Sequence, residues 1–113
     1  MSEFPEADWK VLRGLKEVAL DRFCKRFLEE AAPLVTAPEG DSRSYHERYL
    51  ALFNLLHRRD EQLGAIFNDL KRSTALIQLA NMRYHQLLTD EEFMRFSPET
   101  RDAVQAILES PRT

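Results

Sequence analysis

From Tyr45 onward, apolar and polar positions alternate with helical period and almost no break. Tyr45, Tyr49, Leu52, Leu56, Arg59, Leu63, Ile66, Leu70, Ser73, Ile77, Ala80, Tyr84 and Leu87 follow alternating steps of four and three residues. That is the seam of a heptad repeat. Eleven of the thirteen are apolar or aromatic, so Arg59 and Ser73 interrupt the chemistry without resetting the register. Ser44 and Glu47 have the spacing of a capping box at the start of the run. No proline and a single glycine, Gly64, lie between there and Leu88. The pattern predicts one long central helix over about 44–88. A second row, Phe53, Phe67 and Leu88, widens its apolar stripe from a two-helix seam toward a hairpin or bundle.

An N-terminal helix precedes it. Pro5 suits a first helical turn, and Trp9, Leu12, Leu15, Ala19, Phe23 and Phe27 recur on one face. Gly14 weakens that run, and Pro33 is expected to end or kink it near Ala32. The cluster "TAPEGDSR" reads as the one linker, about 36–43. Past the central helix, Thr89 and Glu92 form another capping box and open a short helix. Ser97 and Pro98 open the last, with Ala103, Val104, Ile107 and Leu108 as its apolar face. Residues 109–113 read as a frayed tail. The expected architecture is all-α: a single domain, 1–113, built as a bundle or hairpin on the long helix.

Length sharpens this picture. A helix of some 45 residues would span roughly 65 Å, whereas a compact chain of this size has a radius of gyration of only ~13 Å. The expectation is therefore a homodimer sharing the seam, with a helix break near residues 58–61 as the alternative. Tyr49, Leu52, Leu56, Arg59, Leu63, Ile66, Leu70, Ile77 and Tyr84 become the candidate interface and register residues. Within such a seam Arg59 needs a carboxylate, because an unpaired buried charge costs several kcal/mol. Asp21 or Glu17 of the first helix, or an acid of a partner chain, would supply it.

Composition narrows the function. The 113 residues are 43% hydrophobic and 31% charged, ordinary for a globular helical protein. No apolar run approaches the ~20 residues of a membrane span, and "MSEFPEAD" lacks the basic start and apolar core of a signal peptide. The lone Cys24 excludes an internal disulfide and fits the cytoplasm. Residues 43–88 carry seven Lys or Arg against four Asp or Glu, a balance of +3. The whole chain carries −3, so the flanks carry −6. An acidic frame around a basic segment favours self-association over binding of a polyanion.

Candidate chemistry is thin. His57 and Glu61 share a helix face, but a metal needs three or four ligands and no second histidine pair exists. His46 and His85 sit at opposite ends of the segment. Cys24 lies between Phe23 and Phe27, where a thiol behaves as an inert hydrophobe. No glycine-rich phosphate loop or nucleophile elbow is present. Arg58, Arg59, Lys71, Arg72 and Arg83 are basic points, with Tyr84 and His85 available for stacking. Asp60, Glu61 and Asp69 interrupt them, against the continuous face of a dedicated nucleic-acid binder. No catalytic, cofactor-binding or metal-binding residues are expected. The pattern reads as a non-enzymatic protein-interaction module that dimerises and takes a protein partner, with regulatory nucleic-acid binding as the alternative.

"DWKVLRGLKEVALDRFCKRFLEE", "ERYLALFNLLHRRDEQLGAIFNDLKRSTALIQL" and "LLTDEEFMRFSPETR" together resemble a small bacterial family of helical proteins. That resemblance spans most of the chain. It implies an all-α, cytoplasmic, bacterial protein and carries no activity or catalytic residue with it.

Overall fold

The computed structural model describes residues 4–110. Among them the chain is all-α and without strands. Five helices follow in order: α1 Glu6–Thr36, α2 Tyr45–Phe67, α3 Ala75–Tyr84, α4 Asp90–Phe93 and α5 Pro98–Glu109. The longest is therefore α1, not a central helix, and the seam predicted across 44–88 is cut into α2 and α3. The cut falls at residues 68–74, downstream of the alternative site at 58–61, and α2 passes unbroken through Arg59.

Local chemistry explains the cut. Asn68 caps α2 in an extended conformation, and Asp69 turns left-handed at φ 55°. Short polar side chains tolerate that conformation better than most. Gln78, 4% exposed, then closes the turn. Its side-chain amide donates to the carbonyls of Ile66 (3.1 Å) and Asn68 (3.0 Å). Its own oxygen accepts from the Thr74 hydroxyl at 2.5 Å. The carbonyls that a longer helix would have satisfied internally are thus taken up by one side chain.

Of the remaining boundaries, both capping boxes form, Ser44 with Glu47 and Thr89 with Glu92. Ser97 caps α5 ahead of Pro98. Gly14 and Pro33 do not stop α1, which runs to Thr36 and ends on Ala37 at φ 51°. Arg48 of α2 donates to the free carbonyls of Leu34 and Val35, so the turn beyond the proline has partners for its end. Helix α3 stops four residues short of Leu88. Gln86 is left-handed at φ 57°, and the Leu87 N–H returns to the Met82 carbonyl, as in a Schellman ending. Glu109 closes α5 and Ser110 caps it; 111–113 of the expected tail lie outside the described residues.

Helices α1 and α2 form an antiparallel hairpin, and α3 to α5 pack around the end where α1 begins and α2 finishes. Leu12, Leu15, Ala19 and Phe23 of α1 meet Ile66 and Phe67 of α2 there, with Leu79 and Met82 of α3 and Val104 of α5. Phe23 and Phe67 make an edge-to-face pair at 6.3 Å. The predicted α1 stripe is thus the core stripe. The molecule is elongated, 55 × 29 × 23 Å, with a radius of gyration of 17.3 Å. That exceeds the ~13 Å of a compact chain this size.

Charged groups fasten the two chain ends together. Asp8, 2% exposed in the first turn of α1, accepts from the Ser97 N–H (2.8 Å) and hydroxyl (2.7 Å) and from the Thr100 hydroxyl (2.5 Å). Burial pushes this carboxyl up, but the Thr100 and Ser97 hydrogen bonds outweigh it and hold it below its ordinary range. A carboxylate at the start of α5 also suits the helix dipole. Arg22 forks onto Glu92 at 2.6 and 3.0 Å and reaches the Leu87 carbonyl at 2.9 Å. The Arg22 guanidinium, helped by the Thr89 backbone N–H, draws the Glu92 carboxyl from 4.5 to about 2.

Two outcomes follow for stability. Gln78→Leu should cost about 2 kcal/mol in urea unfolding, because the buried Ile66 carbonyl and the partly buried Asn68 carbonyl lose their donor. Both Asp8 and Glu92 are lowered, so the unfolded chain binds more protons in acid and folding weakens as pH falls. Stability should be level above about pH 5 and decline progressively from pH 4.5 toward 2. Glu92→Gln should flatten part of that decline, measured by circular dichroism against pH.

Candidate interaction surface

Beyond Phe23 and Phe67 the segment after α3 still touches the hairpin at Arg26, which donates to the His85 and Gln86 carbonyls. Past Arg26 the last ten residues of α1 run on for roughly 15 Å, beside the first half of α2 and, among the described residues, no third helix. Only Ala31 and Leu55 are buried along this stretch. Both helices nevertheless keep apolar residues on a shared side. On α2, Tyr45, Tyr49, Leu52 and Leu56 follow the heptad steps, with Phe53 adjoining; on α1, Leu28 and Val35 face the same way. Tyr45 is 86% exposed, Leu28 64% and Leu56 51%. With Tyr49, Phe53 and Val35, each more than half exposed, they form a concentration of large apolar side chains in water that a monomer seldom carries.

The patch deepens toward the core into a groove of about 240 Å³, lined by Cys24, Phe27 and Leu28 of α1 and by Leu56, Asp60 and Leu63 of α2. Arg59 forms the ridge between this groove and a more polar hollow of about 260 Å³ lined by Arg26, Glu30, Gln62 and His85. The outer side of α2 carries stacked rings, His46 with Tyr49 at 6.5 Å and Phe53 with His57 at 6.3 Å.

Arg59 does meet a carboxylate of the first helix, but neither Asp21 nor Glu17. It forks onto Glu30 at 2.8 and 2.7 Å and touches Gln62 at 3.3 Å. The hairpin register sets Phe23 by Phe67 and Glu30 by Arg59. Asp21 lies nine residues from Glu30, roughly 13 Å along the helix, and is out of reach. The Arg59 fork also holds the Glu30 carboxyl below its ordinary range, against a smaller opposing effect of burial.

The nine predicted interface residues therefore separate. Tyr49 and Leu56 lie on the open face with the half-buried Leu52 between them along α2, and Arg59 and Leu63 stand at its inner end. Ile66 is in the core, and Leu70 sits in the turn. Ile77 and Tyr84 are exposed on α3, a different element, because the turn at 68–74 ends the register. Leu28 and Val35 complete the face from α1 and were not foreseen; their spacing from Cys24 at steps of four and seven was the available signal.

The other candidates are accounted for by ordinary contacts. His57 and Glu61 are both exposed at 3.8 Å from each other. Among the described residues no group of three or more His, Cys, Asp or Glu could hold a metal ion, and no helix is long and apolar enough to cross a membrane. Of the basic points, Arg59 is held by Glu30. Arg72 is held by Glu6 and the Phe4 carbonyl, and Arg83 by Asp90 and the Leu88 carbonyl. These three do not combine into a basic face.

Fold and surface define an all-α protein whose helical hairpin carries an uncovered apolar side. No protein-family model, curated protein or solved structure matches the chain.

The Arg59–Glu30 fork sits at the half-exposed edge of the hairpin, so Arg59→Leu should change stability by less than about 1 kcal/mol. Arg59→Glu, which sets two carboxylates together, should be clearly the less stable of the two in thermal melts.

Proposed function

We propose that this protein is a non-enzymatic interaction and oligomerisation module, a homodimer whose working surface is the apolar side of the α1–α2 hairpin. The observation that carries the reading is that side itself: aromatic and aliphatic residues at heptad spacing, left open where no helix among the described residues covers them. Apolar surface of this extent is unfavourable in water and marks a place where protein docks. Aromatic residues are the usual anchors of such contacts. A further protein partner would use what the dimer leaves uncovered. The single free Cys24 suits a reducing compartment, so the cytoplasm is the proposed location.

Nucleic-acid binding is the weaker reading, because three of the five basic points on the former seam are tied to groups within the chain.

Light scattering on the wild type should give twice the chain mass at micromolar concentration. The double variant Phe53→Glu, Leu56→Glu should give the single mass. As a monomer it should keep the parent's helical circular dichroism, its melt falling only by what association contributes. A monomeric wild type would overturn the dimer, and a variant that no longer folds would mean that the two residues serve the fold instead.

A further inference from the structure

Resting on that reading, we infer that the second copy packs antiparallel along α2, with the two-fold axis passing between Leu52 and Phe53. The order of side chains along the open side leads to this arrangement. Its apolar part is bounded by Tyr45 at one end and by Asp60 at the other, with Tyr49, Phe53 and Leu56 exposed between them and Leu52 half-buried at their side. Tyr45 and Asp60 are fifteen residues apart, roughly 22 Å of helix.

An isologous contact places the same patch on both copies, so residue i meets residue j and j meets i. Run antiparallel about the stated axis, Tyr45 faces Asp60 at both ends, Tyr49 faces Leu56, and Leu52 faces Phe53. Each Tyr45 hydroxyl can then donate to the other copy's Asp60 carboxylate, a charge-assisted hydrogen bond at each rim. The apolar pairs fill the middle. Run parallel and in register, the same face sets Asp60 beside Asp60 at the edge of an apolar contact, where like charges repel most strongly. Tyr45, Tyr49, Phe53, Leu56, Leu28 and Val35, each more than half exposed, are the large apolar side chains this contact would bury in each copy. Leu28 and Val35 of each α1 flank the contact and extend it to two helices per copy, an intermolecular four-helix bundle. The α3–α5 ends then point in opposite directions, which would let one dimer present two identical compact ends at its extremities.

Single cysteines placed in a Cys24→Ser background test the orientation, with oxidation by copper–phenanthroline and light scattering on each variant. Phe53→Cys, next to the axis, should cross-link to itself in high yield. Tyr45→Cys should not cross-link to itself, but should do so when mixed and refolded with Asp60→Cys. Self-cross-linking of Tyr45→Cys would establish a parallel pair and overturn the inference while leaving the dimer in place. A dimeric mass with no cross-link at any of the three positions would mean that association uses another face, which also overturns it. A monomeric mass would remove both the inference and the dimer on which it rests.

Discussion

The shape of this molecule depends on one buried amide. Gln78 reaches from the first turn of α3 to the last carbonyls of α2, and Thr74 holds its oxygen in place. Without a donor there, ending α2 at Phe67 would strand the Ile66 oxygen inside the core, at a cost of about 1–3 kcal/mol. With it, the chain turns, and α3 to α5 are delivered to the α1 end of the hairpin. The single core, the bare distal half and the exposed apolar side all descend from that reversal.

Arginine plays the complementary part at the other boundaries. Arg48 covers the end of α1, Arg26 donates to the His85 and Gln86 carbonyls at the end of α3, and Arg22 takes the Leu87 carbonyl together with Glu92. Arg101 reaches the Phe96 carbonyl ahead of α5. A guanidinium has five donors in a fixed fork and can satisfy carbonyls from a neighbouring helix. Basic side chains that suggest a polyanion-binding surface in a linear reading are here largely fasteners between elements. At the opposite polarity, the Asp8 carboxylate does the same for the start of α5.

These fasteners lie where the core lies, and the distal hairpin has few of them. Its two helices are held by Glu30–Arg59, by Arg48 and by a thin strip of contact around Ala31 and Leu55. A two-helix unit can bury only one side of each helix, so residues placed for a wider stripe remain in water. Tyr45, Tyr49, Phe53 and Leu56 are in that position, which makes them the part of the chain with most to gain from association.

The all-α class, the α1 stripe and the starts of α2, α4 and α5 follow from the sequence alone, because period and capping chemistry act within a few residues. The linker expected at 36–43 follows in the same way, with α1 taking in Thr36 and the connection running over 37–44. The break at 68–74 did not, although Asn68, Asp69, Ser73 and Thr74 are turn-forming residues in a single cluster. Leu70, Ile77 and Ala80 happen to continue the heptad spacing across it, and period cannot tell a helix that continues from two that share a phase. What stops the helix is a hydrogen bond from Gln78, ten and twelve residues from its acceptors. The same limit applies to the Arg59 partner. The need for a carboxylate of the first helix was legible in a charge at a seam position, but Glu30 rather than Asp21 was selected by the hairpin register. Likewise, Leu28 and Val35 became part of one face with Tyr49 and Leu56 only when two helices far apart in the chain were laid side by side. Local patterning determined which residues were apolar; packing decided which of them the chain could cover.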